Sequence, residues 1–273
     1  MVLYRVFLLT LLLTFLTAAE TVPAGQGVCV TCHRPHPSCQ GNCVSCHRGD
    51  DRTGRKEIAH RDLVAGRFSH YTIEGSRVVE LGKGLLERLS CRRCHRYEEK
   101  GNRLAGSLDA TGATGKARDI YASIRTPALF MPNFHLNDTQ IASLVNAILA
   151  RAKFEKPPEG ETALVVHFQD AQNIRKNIFA EKCGQCHKIL SEKSGGLGNG
   201  EVAPNLSGLF SEFYPRTYRD TESWNREKLK KWLANPRDIR INAVMQPLRI
   251  APKELELLVT ILSDQSSPDE GRN

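Results

Sequence analysis

Apolar residues recur along this chain in helix-sized blocks, separated by polar stretches that carry glycine and proline. The first block, residues 6–16, is an eleven-residue apolar run preceded by Arg5 and followed by Thr17-Ala18-Ala19. A membrane span needs about 20 apolar residues, so the run reads as an export signal covering residues 1–19, with an uncleaved anchor as the alternative. Further on, Leu85, Leu86 and Leu89 fall at helical spacing, as do Ile174, Ile178 and Phe179. Asn137 and Gln140 have the spacing of a capping box, and Ile141, Leu144, Val145, Ile148 and Leu149 then predict one apolar face. Pro252 suits a first helical turn, and Leu255, Leu258, Val259 and Leu262 repeat that face. The pattern predicts a mainly α protein of small helical domains.

The breaks in the pattern divide the chain. Residues 154–162 are rich in proline and charge and predict a short linker, and the polar tail from residue 263 to 273 predicts a frayed end. Residues 25–78 differ from the rest: Pro35, Pro37 and Gly41 forbid a long helix there, and too little apolar material is present for an ordinary core. Segments at 25–78, 79–153 and 163–266 follow as the expected domains.

Composition adds a soluble globular class: 273 residues, 40% hydrophobic and 7% aromatic. Nine cysteines are too few for a disulfide scaffold of this length, and their spacing carries the chemistry. Eight of them form four copies of one pattern: Cys29-Val30-Thr31-Cys32-His33, Cys43-Val44-Ser45-Cys46-His47, Cys91-Arg92-Arg93-Cys94-His95 and Cys183-Gly184-Gln185-Cys186-His187. Cys-x-x-Cys-His is the attachment signature of c-type haem: two thiols one helical turn apart can each bond a vinyl group, and the next residue sets an imidazole under the iron. At this chain's own Cys and His frequencies chance gives about 0.01 copies. A four-thiolate zinc site at Cys29, Cys32, Cys43 and Cys46, or a redox dithiol, is the rival reading, but neither needs a histidine after every second cysteine. No alternating β-branched stretch flanks the motifs as a thioredoxin-like dithiol would require. Cys39 stands outside the pattern as a thiol without a ligand role.

The last two motifs sit in stretches that resemble class I cytochrome c domains, over roughly residues 79–153 and 163–266. The resemblance implies a haem-centred helical fold whose second axial ligand is a loop methionine. Met131, in Phe130-Met131-Pro132, resembles the Met-Pro ligand loop and lies 36 residues after His95; Met245 takes the corresponding place 58 residues after His187. His135 is the rival to Met131. Ala203-Pro204-Asn205-Leu206 and Trp232-Leu233-Ala234-Asn235-Pro236 also look like class I pocket motifs, whereas Met245-Gln246 departs from the usual Met-Pro pair. Residues 25–78 resemble compact dihaem modules with two histidines on each iron, in which a histidine three residues after one proximal ligand often serves the adjacent haem. His36 is therefore the candidate for the haem on Cys43 and Cys46. His60, with His70 as runner-up, is the candidate for the haem on Cys29 and Cys32. His167 reads as solvent-facing.

Ligand counting sets the expected function. Four haems need eight axial ligands, and the chain offers His33, His47, His95, His187, Met131, Met245, His36 and His60. With every iron six-coordinate, no site stays open for oxygen or peroxide, and the expectation is an electron carrier rather than an enzyme. The formal charge of +8 first suggests an anionic partner. Four haems bring propionates worth about −8, which removes the support for nucleic acid. The resulting expectation is a periplasmic tetrahaem c-type cytochrome between a quinol-oxidising membrane complex and downstream cytochromes or reductases. A peroxidase-like enzyme with one open haem, and a fixed subunit of a membrane respiratory complex held by residues 6–16, are the alternatives.

Overall fold

A computed structural model describes residues 27–36, 42–152 and 177–264. The expected export signal, the linker at 154–162, Cys39, His167, Ile174 and most of the tail lie outside the described residues. Those described are mostly helical, 45% helix against 4% strand with ten α-helices and one two-stranded sheet, so the chain is mainly α. Among them no helix is long and apolar enough to cross a membrane. The chain divides into two compact units, residues 1–66 and 67–273.

In the first unit the backbone is held by turns and caps. Helix α1 (Cys43–His47) starts at Asn42, whose Oδ1 accepts from Val44 N at 3.1 Å while its Nδ2 donates to Asp51 at 2.6 Å. Val28 N donates to Asp51 O at 2.8 Å, so the Asn42–Asp51 region ties the first two Cys-x-x-Cys-His motifs together. Helix α2 (Lys56–Ala59) follows, and Val64 N returns to His47 O at 2.7 Å. Among the described residues of this unit Val64 alone is buried, as expected of a segment with so little apolar sequence.

The second unit opens with α3 (Arg77–Arg88), which packs against α6 (Asp138–Ala152). Gly82 lets the two backbones approach, since a Cβ there would overlap the Ser143 carbonyl. The capping box forms: Asn137 N donates to Gln140 Oε1 at 3.0 Å and Gln140 N to Asn137 Oδ1 at 2.9 Å. The expected apolar face of α6 is buried, and so is the rest of the helix from Ile141 to Ala150. Helices α4 (Leu108–Thr114) and α5 (Ala117–Arg125) and the turn His70–Thr72 cover its other sides. Asn146, fully buried, pays no penalty there: its amide accepts from Tyr71 N at 3.0 Å and donates to Arg67 O and Ala142 O, both at 2.8 Å.

Helix α7 (Ile178–Lys182) is capped by Asn177 and leads into the fourth motif. A short hairpin of β1 (Ile189–Ser191) and β2 (Gly195–Leu197) follows, antiparallel with Ile189 opposite Leu197. Strands of three residues are too short for an alternating pattern to register, which is why the periodicity did not anticipate them. Helices α8 (Arg226–Ala234), α9 (Pro236–Ile239) and α10 (Pro252–Ser263) complete the chain. Leu255, Leu258 and Leu262 of α10 pack with Phe179, Ile189, Leu197, Leu229 and Leu233 in one core.

Candidate haem sites

Each Cys-x-x-Cys-His stretch folds as a helical turn closed on its first cysteine. His33 N donates to Cys29 O at 3.0 Å, His95 N to Cys91 O at 3.0 Å and His187 N to Cys183 O at 2.9 Å, while the second motif is helix α1 itself. The turn puts two thiols on one face with the imidazole one step beyond, the local geometry that two thioethers and one axial bond need. No disulfide joins the eight motif cysteines.

Three motif histidines are tied at the same ring atom. His47 Nδ1 lies 3.1 Å from Val64 O, His95 Nδ1 2.6 Å from Gly106 O and His187 Nδ1 2.7 Å from Pro204 O. A carbonyl only accepts, so Nδ1 carries a proton, and a neutral ring held this way has its lone pair on Nε2, the tautomer and orientation of a metal ligand. Burial holds His95 and His187 below the ordinary histidine range, which favours that neutral form. Burial also pushes the Cys91 thiol up to about 12 and the Cys183 thiol up to about 11. A nucleophilic dithiol has its pKa depressed, so these cysteines lack the electrostatics of a thioredoxin-like pair.

The first unit brings histidines together in twos. The His33 and His60 rings have centroids 5.8 Å apart, and the His36 and His47 rings 5.9 Å apart. Two imidazoles bound to opposite sides of one metal, with bonds of about 2 Å each plus the depth of the rings, place their centroids about 6 Å apart. Both pairs stand at that separation. His60 lies in the same unit as His33, whereas His70 belongs to the unit that begins at Arg67. Among the described residues no group of three or more His, Cys, Asp or Glu side chains converges in the manner of a protein-only metal site, so the motif cysteines are not gathered into a zinc tetrathiolate.

In the second unit Cys91, Cys94 and His95 line an apolar cavity, and Met131, Phe130 and Phe134 line it with them. His135 is exposed, at a left-handed φ of 51°, and lies outside that lining. Leu190 of β1, three residues past His187, forms part of the same wall and packs on Cys94 and Leu104. Met245 packs on the core that also receives Cys183, and Trp232 Nε1 donates to its Sδ at 3.1 Å. The sequence pattern singles out both Trp232 and Met245 but not the hydrogen bond between them, and no local pattern signals that Leu190 reaches the wall of the Cys91–Cys94 cavity. Paired thiols, neutral imidazoles with free Nε2 atoms, and a thioether in an apolar slot form a donor set that covalently attached haem would use. No family model matches the chain, and no solved structure matches it.

Proposed function

We propose that this chain is an exported tetrahaem c-type cytochrome that relays electrons between a quinol-oxidising membrane complex and downstream cytochromes or reductases. The observation that carries the proposal is that a second donor accompanies three of the four motif histidines, and a methionine packs on the core beside the fourth motif. His60 stands beside His33 and His36 beside His47, Met131 lines the cavity of His95, and Met245 packs on the core that receives Cys183. Haem c, when bound, supplies reversible one-electron chemistry. The protein's part is to close each coordination sphere with side chains, so that bond-making substrates find no vacant position, and to keep neighbouring sites close.

The last two sites meet the second requirement through the chain itself. Leu190 lines the cavity of Cys91 and Cys94 while lying three residues after His187, and three residues span at most about 11 Å. In the first unit, the His36–His47 pair is nested along the sequence inside the His33–His60 pair, and the motifs are separated by only nine residues, Arg34 to Asn42. Methionine ligation raises haem potential relative to two histidines, so residues 29–60 form the low-potential end and the Met131 and Met245 sites the high-potential end. Mass measurement on the exported protein tests the premise. Four added haem masses are expected, and a colourless chain, or metal without porphyrin, would overturn it.

A further inference from the structure

The loop that presents Met131 is held largely by residues from the segment of the next haem motif. Within the loop, Met131 N donates to Ala128 O at 3.1 Å, and Leu129 adopts a left-handed φ of 56° that a branched residue takes only when its surroundings impose it. The restraints come from residues 188–205. Asn205 Nδ2 donates to Phe130 O at 2.9 Å, and Lys188 Nζ to Leu129 O at 3.3 Å. The Phe130 ring lies against Gly196 of β2, where a Cβ would overlap it.

Asn205 is the centre of this arrangement. Its Oδ1 accepts from Ser207 N at 2.9 Å, which sets the local turn. Its main-chain oxygen accepts from Arg93 Nη1 at 3.1 Å, and Arg93 stands between the two cysteines of the third motif, buried and stacked 5.6 Å over Tyr214. The residue before it, Pro204, supplies the carbonyl that orients His187. One asparagine thus touches the Met131 loop and the Cys91–Cys94 turn while sitting beside the anchor of the fourth motif histidine.

We propose that Asn205 is a positioning residue for the Met131 ligand, so that the fourth haem segment holds the sixth ligand of the third haem in place and the two sites form one mechanical unit. This rests on the haem reading above and adds to it which residue controls which ligand. Asn205→Asp is the discriminating variant, because its retained oxygen still accepts from Ser207 N while the donor to Phe130 O is replaced by an acceptor facing a carbonyl. In the full-length oxidised holoprotein, magnetic circular dichroism of the methionine-to-iron charge-transfer band is expected to report two methionine-ligated haems. Asn205→Asp is expected to halve that signal with all four haems retained. The remaining half should be indifferent to an added Met131→Ala and abolished by an added Met245→Ala. Lys188→Met, which removes the second hydrogen bond to the loop from the protein surface, is expected to reduce the same signal by a smaller fraction. Full signal in both variants, or a residual signal that depends on Met131, overturns the inference while leaving four haems intact. A parent protein with no methionine band overturns the ligand assignment itself.

Discussion

At the scale of single residues, the side chains next to the ligands set the properties that the motifs leave open. The carbonyls that hold His47, His95 and His187 at Nδ1 come from Val64, Gly106 and Pro204, 11 to 17 residues downstream. Nothing in the pentapeptide motifs specifies them. If Met245 is the proposed second ligand, Trp232 would have a comparable role there. Its N–H withdraws electron density from Met245 Sδ, which favours the lower oxidation state of an iron bound to that sulfur. Trp232→Phe removes the donor and keeps an aromatic ring. A neutral hydrogen bond is worth about 0.5–1.5 kcal/mol, so the potential of that haem is expected to fall by roughly 20–60 mV. Spectro-electrochemical titration of the variant would measure it, and an unchanged or raised potential would remove Trp232 from the tuning of this site.

At the scale of elements, the packing of α3 on α6 shows two opposing effects whose magnitudes decide the outcome. Replacing Gly82 by Ala in the interior of α3 would gain about 1 kcal/mol of helix propensity. The added methyl overlaps the Ser143 carbonyl and crowds Ala147, and such overpacking between helices costs about 1–3 kcal/mol. Gly82→Ala is therefore expected to be net destabilising, by up to about 2 kcal/mol, with a lower urea midpoint and an unchanged slope. A midpoint raised by the substitution would mean that the helices separate at no cost. The apolar stripe and the capping residues of α6 were legible because both are local signals. Burial of the helix on its remaining sides was not, since it depends on α4, α5 and residues 67–72 folding over it, and Asn146 alone would have read as a solvent-facing position. The β1–β2 hairpin was likewise invisible for its brevity, although Gly196 within it sets where Phe130 lies.

At the scale of the whole molecule, the distribution of ligands gives a direction to the proposed relay. Histidine pairs occupy the first unit, and the two methionines fall in the second. Titration of the holoprotein is expected to resolve two low-potential and two high-potential haems, and His60→Met should raise one of the low pair. Four coincident potentials would contradict the assignment of ligands to the two halves. The last two motif segments are in contact, since Leu190 lines the cavity of Cys91 and Cys94 and Asn205 hydrogen-bonds across to Phe130 and Arg93, and in the proposed relay a redox change at one site would reach the surroundings of the other.

By itself the sequence determined the chemistry on offer: four paired-thiol motifs with their histidines, two methionines beyond the first residue, and helices whose periodicity and caps are written in residues three and four apart. Those signals act over one turn of chain, where covalent spacing alone controls geometry. Tertiary structure decided which donors meet. It brought His33 beside His60 and His36 beside His47, set Met131 in the cavity wall and left His135 outside it, and carried Asn205 across to the loop of another segment. Such meetings depend on how separate stretches of backbone bury their apolar faces and satisfy their polar groups against one another, and no spacing along a single strand of sequence encodes that.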